Sequence, residues 1–288
     1  MFPANFDYHR PKTLAEATRL LQANKDAKLL AGGHSLIPAM KLRLAGPAAL
    51  VDLSAVKELA GIKMDGGALR IGGLTTHAAV AASAEVRGQC PVLAETAGQI
   101  GDPQVRNRGT IGGSVAHADP AADLPTVLVA LGATFSIAGT SGSREVPAEG
   151  FFKDLFTTDL KAAEVLTAVR VPGYGKGTGA AYLKHKHPAS NYAVVGVCAL
   201  VELKDGKCTR VSLVVGGATA NPVRAKGVEA ALLGKAPDDA SLAAAAGKVA
   251  EVLTKPLGDS YASADFRKHL ATVMARRALA EAAARAKG

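Results

Sequence analysis

The chain has 288 residues, with 34 Lys plus Arg against 25 Asp plus Glu, and a formal net charge of +9. Hydrophobic residues at 48% and charged residues at 20% are the composition of a folded chain, which excludes disorder as its general state. Iron–sulfur clusters and all-cysteine zinc sites normally take four thiolates. The 3 cysteines here, Cys90, Cys198 and Cys208, form no CxxC pair, so such a site and a disulfide framework are both excluded. Any redox centre held by this chain alone must be of another kind. The first residues, MFPANFDYHRPK, lack a basic stretch followed by an apolar run, so no secretory signal is expected. No apolar run approaches the about 18 residues of a membrane span. The scattered cysteines suit a cytoplasmic location. Basic residues are dispersed, with no tract of five or more Lys/Arg. A nucleic-acid partner is therefore not expected, and an anionic cofactor or an acidic protein surface accounts for the charge.

In chain order, residues 13–24 (TLAEATRLLQAN) have helical apolar spacing, and Thr13 with Glu16 makes a capping box. Residues 28–31 and 50–53 read as strands, so the first fifty residues form a small α/β unit. A strand at 69–71 precedes Gly72-Gly73, a helix begins over 76–82, and 91–100 is a further helix. Segments 127–131 and 133–137 flank Gly132 as strand–turn–strand or helix–strand. The stretch 164–171, EVLTAVRV, is a strand stopped by Pro172. The GYGKGTG stretch, 173–179, is the best linker. Beyond it, 192–203 and 209–215 are β-rich, with 204–207 (KDGK) as a hairpin turn. Residues 228–233, 242–253 and 264–286 then read as helices, the last presenting Phe266, Leu270, Val273 and Leu279 near one face and Arg276 and Arg277 outside.

Two Gly-Gly turns of similar make carry the strongest chemical signal: LLAGGHSLIPAM at 29–40 and GTIGGSVAHADPAADLP at 109–125. Glycine lets a ligand approach the backbone closely. Successive N–H groups then form a concave anion site, and hydroxyls such as Ser35, Thr110 and Ser114 add hydrogen bonds. Two such turns suit a pyrophosphate gripped from both sides, and hence a dinucleotide. The usual nucleotide signatures are missing: no GxGxxG, no GxxxxGK[ST] and no GxSxG occurs. His185-Lys186-His187 reads as a solvated basic strand end in preference to a pair of metal ligands. His117 and Asp119 read as lining the ligand cradle. Asp123 is either a hydrogen-bond acceptor for a ligand hydroxyl or a helix cap.

LLAGGHSLIPAMK, DPQVRNRGTIGGS and ADPAADLP resemble the flavoprotein (medium) subunits of molybdenum hydroxylases, and the likeness runs from FDYHRPKTLAEA to the C-terminal helices. That group includes the flavoprotein subunit of aerobic carbon monoxide dehydrogenase and the flavin segment of xanthine dehydrogenase. The resemblance implies an α+β chain with a vanillyl-alcohol-oxidase-type FAD-binding fold of two α/β subdomains, followed by an α+β C-terminal domain with a β-sheet and then a helical bundle. The expected boundaries are an FAD-binding domain at 1–175, with subdomains near 1–55 and 56–175, and a C-terminal domain at 178–288.

Carried over by position, Leu29, Leu30, Ala31, Gly32, Gly33, His34, Ser35 and Leu36 would form the first FAD loop. Thr110, Ile111, Gly112, Gly113 and Ser114 would form the second; Ser114 replaces the commoner Asn. Asp123 matches an acidic residue near the ribityl or ribose hydroxyls. Ile100, Leu166 and Lys184 match flavin contacts, and Tyr192 a residue against the isoalloxazine ring. No side chain is expected to be catalytic or to bind metal. The resemblance further implies a large subunit with the molybdenum-pterin cofactor and a small subunit with two iron–sulfur clusters, assembled as a dimer of heterotrimers. Electrons released by substrate hydroxylation would reach FAD on this chain and leave to an external acceptor. Where carbon monoxide dehydrogenases read like KxGDxATA, this chain reads HPASNYAVVG. That favours an aldehyde or a nitrogen heterocycle such as a purine as substrate, with carbon monoxide as the alternative. A stand-alone FAD oxidase is a further alternative, disfavoured by the chain's length.

Overall fold

The computed structural model describes residues 2–288. Strands Asp7–His9, Ala27–Leu30 and Ala49–Asp52 form a parallel sheet with Ala49–Asp52 in its centre. Parallel strands need crossovers: helix Leu14–Ala23 links the two outer strands, and helix Leu36–Lys41 lies on the connection from Ala27–Leu30 to the central strand. Thr13 accepts from the Glu16 N–H at 3.2 Å, while Glu16 reaches back to the Lys12 N–H at 2.9 Å, one residue earlier than a standard capping box. Ala17, Ala27, Ala49 and Val51 fill this core, small residues that bring helix and sheet close. The strand Asp7–His9 is exposed along its whole length, which explains why no apolar pattern announced it.

A five-stranded antiparallel sheet follows, in the order Ile62–Asp65, Ala68–Gly72, Val165–Pro172, Thr134–Gly139, Gly142–Pro147. Its central strand arrives last in sequence, so the sheet closes only through long-range pairing. Val165 belongs to the N-terminal core and Leu166 to the main one, so this strand ties the two subdomains together. Segment 127–131 proves to end a helix, Asp123–Ala130, whose eight residues are all buried. A helix buried all round has no apolar stripe to read. Gly132 at φ +68° closes it before strand Thr134–Gly139. Phe135, Phe151 and Phe152 meet edge to face at 4.7 and 5.2 Å in the main core.

The third sheet is an antiparallel meander of Thr178–Lys186, Ala193–Lys204, Lys207–Gly216 and Val223–Arg224. Asp205 and Gly206, at φ +51° and +73°, make the expected two-residue hairpin turn. One face of this sheet meets helices Lys226–Leu232, Asp239–Ala246 and Ala264–Ala286, while Ala180, Tyr182, Cys198, Leu200 and Val214 on the other join the main core. Burial on both faces accounts for the unbroken apolar run over residues 193–201 of strand Ala193–Lys204.

Four readings are corrected. The 173–179 stretch is not a free tether: Tyr174 packs on the main core with its N–H on Gln89 O at 3.1 Å, and Gly179 already lies in strand Thr178–Lys186 beneath the C-terminal helix. The 242–253 helix divides into Asp239–Ala246 and a 3-10 turn, Gly247–Glu251, where glycine weakens helix continuity. Tyr192 precedes its strand, which begins at Ala193. The C-terminal helix buries an alanine stripe, including Ala271, Ala275, Ala278 and Ala282, and leaves Phe266 exposed. Among the described residues no helix is long and apolar enough to cross a membrane.

Arg267 locks this last helix to the sheet. Its buried guanidinium donates to Val194 O at 2.7 Å, Gly217 O at 2.8 Å and Asp259 at 2.5 Å. Removing it orphans two buried carbonyls. Arg267→Met is expected to lower unfolding free energy by roughly 2–4 kcal/mol, read as a lower urea midpoint, whereas Arg276→Met on the exposed face stays within about 0.5 kcal/mol of wild type.

Candidate cofactor site

The first Gly-Gly turn joins strand Ala27–Leu30 to helix Leu36–Lys41. Gly33 takes φ +77°, which a side chain disfavours. Among the described residues, the N–H groups of Gly32, Gly33, His34, Ser35 and Leu36 have no acceptor within the chain. Ser35 makes no capping bond, so its hydroxyl is also free. Five successive unpaired amides beside a hydroxyl form a concave donor surface for an anion.

The second turn differs. Ile111 N–H donates to Thr75 O at 3.0 Å, Gly112 N–H to Gly73 O at 2.9 Å, and Ser114 N–H to Thr110 O at 3.0 Å. Gly113 N–H is taken by the Thr110 hydroxyl oxygen at 3.0 Å. The sequence suggested two equivalent amide cradles; here the amides of the second are spent within the fold, and the hydroxyls of Thr110 and Ser114 are what it offers. Its glycines serve close packing. A Cβ on Gly112 would stand 2.6 Å from Gly73 O, and one on Gly32 would strike the Arg108 carbonyl. One on Gly113 would lie 3.9 Å from Ala31 Cβ. The two turns are thus clasped backbone to backbone. The third pair, Gly72-Gly73, is the prop beneath them. No role was expected of this pair from sequence; the IGGLTTHA around it repeats the texture of TIGGSVAHA, a signal that could have marked it.

Behind this clasp His77 is 5% exposed, its N–H on Gly109 O at 2.9 Å. Burial without a charged partner lowers its pKa to about 4.

A second cluster centres on Lys184. Its ammonium donates to Asp123 Oδ2 at 2.9 Å, Asn191 O at 2.9 Å and Gln99 O at 3.2 Å. Asp123 Oδ1 accepts from the Tyr182 hydroxyl at 2.6 Å. Lys184 and Asp123 side chains are 3% and 5% exposed. Burial raises the carboxyl pKa, and the Lys184 charge and both hydrogen bonds oppose that rise. Asp123 opens its helix without capping it. Ile100 is half-buried on the main core beside Gln99. Tyr192 is 46% exposed next to Asn191, its hydroxyl pKa raised by burial and then by Asp119 and Asp123. Leu166 lies in the main core, with its carbonyl 2.5 Å from where a Gly73 Cβ would sit. Leu29 packs on the N-terminal core, and Leu30 reaches toward Gly33.

Residues 31–36 and 110–114 are therefore brought together, as are Ile100, Asp123, Lys184 and the loop before Tyr192. His185 meets Phe266 at 6.3 Å and His187 meets Tyr261 at 4.4 Å. Among the described residues no group that could hold a metal ion occurs. His117 packs on Phe156 at 5.1 Å. The donor set of unpaired amides and hydroxyls fits a pyrophosphate, and the half-buried Ile100 with the exposed Tyr192 fits an aromatic ring system. FAD has both parts.

Residues 4–174 match the family model for the FAD binding domain in molybdopterin dehydrogenase, and residues 180–282 that for the CO dehydrogenase flavoprotein C-terminal domain. The carbon monoxide dehydrogenase medium chain of Hydrogenophaga pseudoflava is 42% identical over 99% of each chain. The solved carbon monoxide dehydrogenase of that organism superposes with TM-score 0.96, covering 99% of each chain. The glyceraldehyde dehydrogenase medium chain of Sulfolobus acidocaldarius is 37% identical, covering 98% of this chain and 100% of its own. Quinoline 2-oxidoreductase from Pseudomonas putida 86 superposes with TM-score 0.93 at 34% identity, covering 100% of each chain.

The His77 shift sets a pH dependence. Its folded pKa of about 4 lies below the ordinary 6.5, so as pH falls through that window the unfolded chain takes up a proton that the native state refuses. Stability is then lost progressively between pH 6.5 and about 4, on the order of 3 kcal/mol from this group. Urea unfolding at neutral and acid pH should show a shallower pH slope for His77→Met than for wild type. Equal slopes would count against a neutral buried imidazole.

Proposed function

Because this chain belongs to the FAD-binding medium-subunit family of molybdenum hydroxylases, we propose that residues 29–36 and 110–114 hold the FAD pyrophosphate and that Ile100, Asp123, Leu166, Lys184 and Tyr192 frame the flavin. The observation that carries this reading is the row of five unpaired amides at 32–36. The family builds multi-subunit complexes with large and small partners. We place this chain between the iron–sulfur subunit and an external acceptor, in a cytoplasmic dimer of heterotrimers. We also place the boundary between the FAD-binding and C-terminal domains at 175–178.

FAD, when bound, supplies a carrier that accepts electrons singly and yields them in pairs; the chain supplies binding, orientation and local electrostatics. The amides of 32–36 and the Ser35 hydroxyl would hold the phosphates. Thr110 and Ser114 would donate hydroxyl hydrogens from the opposite turn. Lys184 and Asp123 form a buried pair of no net charge, so their direct part is to fix loops. Ile100 and Leu166 would keep water from one side of the ring, and Tyr192 would stand on the exposed side.

Substrate hydroxylation belongs to the molybdenum partner. The HPASNYAVVG segment supports an aldehyde or nitrogen heterocycle as substrate of the complex. The 42% identity to a carbon monoxide dehydrogenase medium chain favours carbon monoxide as the second reading. Assaying the assembled complex with carbon monoxide, glyceraldehyde and a purine in parallel separates them.

For the site, FAD content per chain is the measurement. Gly32→Ala, which forces the two turns apart, is expected to purify without flavin. Ser114→Ala loses one hydroxyl donor and should keep FAD with about five- to tenfold weaker affinity, near 1 kcal/mol. Stoichiometric FAD in a folded Gly32→Ala protein would refute the placement.

A further inference from the structure

We propose that Arg106 is a positioning residue for the flavin ring, fixing the 99–101 turn jointly with Lys184 and so setting Ile100 against the ring. The inference rests on Ile100 and Tyr192 being ring contacts, as read above. Arg106 Nη1 donates to Ile100 O at 3.0 Å and to Gly101 O at 3.2 Å. Lys184 Nζ donates to Gln99 O at 3.2 Å. Three successive carbonyls thus face two cations.

The turn needs this hold. It links helices Pro91–Gly98 and Pro103–Arg108, Gly101 is left-handed at φ +48°, and Ile100 N–H reaches Ala97 O only at 3.4 Å. The two cations come from different parts of the molecule. Arg106 lies on the helix leading into the second glycine turn, and Lys184 lies on the C-terminal sheet. Lys184 also donates to Asn191 O at 2.9 Å, in the loop that carries Tyr192. One ammonium therefore spaces the Ile100 turn from the Tyr192 loop, and Arg106 keeps the Ile100 side from pivoting about that single bond. Among the described residues Arg106 is in no ion pair with a carboxylate, and its side-chain hydrogen bonds are the two from Nη1 to these carbonyls. One guanidinium nitrogen can serve two adjacent carbonyls while the planar group keeps its orientation, which an ammonium does less well.

The test compares wild type, Arg106→Lys and Arg106→Gln in the assembled complex, with Gly32→Ala as the control for the site itself. FAD content, the visible circular dichroism of the bound flavin and its midpoint potential are measured. Both Arg106 variants should keep wild-type FAD content, because the phosphate cradle is untouched. The flavin dichroism should fall about twofold or more in Arg106→Gln, with a shifted potential, and Arg106→Lys should lie between it and wild type. Wild-type dichroism and potential in both variants, with Gly32→Ala stripped of FAD, would overturn the positioning role and leave the site intact. FAD retained by Gly32→Ala would instead overturn the site reading, and the positioning role with it. If Arg106→Gln does not assemble, Arg106→Lys decides alone: dichroism below wild type supports the proposal, and dichroism equal to wild type overturns it.

Discussion

The structure depends on a backbone-to-backbone clasp. Gly32 lies against the Arg108 carbonyl, and Gly112 lies against Gly73. Neither contact tolerates a Cβ, and each joins segments far apart in sequence. Gly32 lies in the turn that follows a strand of the small parallel sheet, whereas Gly72-Gly73 and Gly112 belong to the larger subdomain. Bringing them together fixes how the two subdomains meet. It also leaves the amides of 32–36 with nothing in the chain to satisfy them. A row of orphan donors is tolerable only where water or an anionic ligand reaches it. The clasp thereby couples packing between subdomains to a row of free main-chain donors.

This arrangement also divides labour between two turns that look alike in sequence. The 32–36 turn leaves its amides without acceptors, whereas TIGGS bonds its amides to Thr75, Gly73 and Thr110. Nothing in the residue types separates the two. Gly-Gly beside a hydroxyl marks close backbone approach, but whether the approaching group is a ligand or another strand is settled by tertiary contact. The same limit explains Asp123. A carboxylate before Leu-Pro reads equally as a ligand partner or a helix cap, and in the fold it is neither a cap nor free, since Tyr182 and Lys184 occupy both oxygens.

Other parts were legible because their signal is local. The Thr13 cap, the Asp205-Gly206 hairpin and the switch to β-rich texture beyond residue 178 each rest on neighbours within a few positions. The features that escaped are those decided at distance. The exposed strand Asp7–His9 exists because Ala49–Asp52 pairs with it, not because of its own pattern. Helix Asp123–Ala130 has no polar face because sheets and helices surround it. The 173–179 stretch reads as a linker by composition, yet Tyr174 pins it to the core, so the C-terminal sheet is held against the FAD-binding region.

The two ends of the candidate site follow different physical logic. At the 32–36 turn the free donors are main-chain amides whose direction is set by φ/ψ and by glycine packing, so they depend little on which side chains line the loop. At the ring end the polar main-chain atoms of the 99–101 turn and of Asn191 point toward Lys184 and Arg106, and side chains decide the geometry. The Lys184 ammonium makes three hydrogen bonds, to Asp123, Asn191 and Gln99. A buried cation with its donors so committed has little capacity left for a ligand, and its positive charge is balanced by Asp123. In the proposed site the phosphate end would be held by backbone shape, and the ring end by cations that reach across from neighbouring elements. Changes at the second end would then alter the ring's surroundings while the phosphate grip persists.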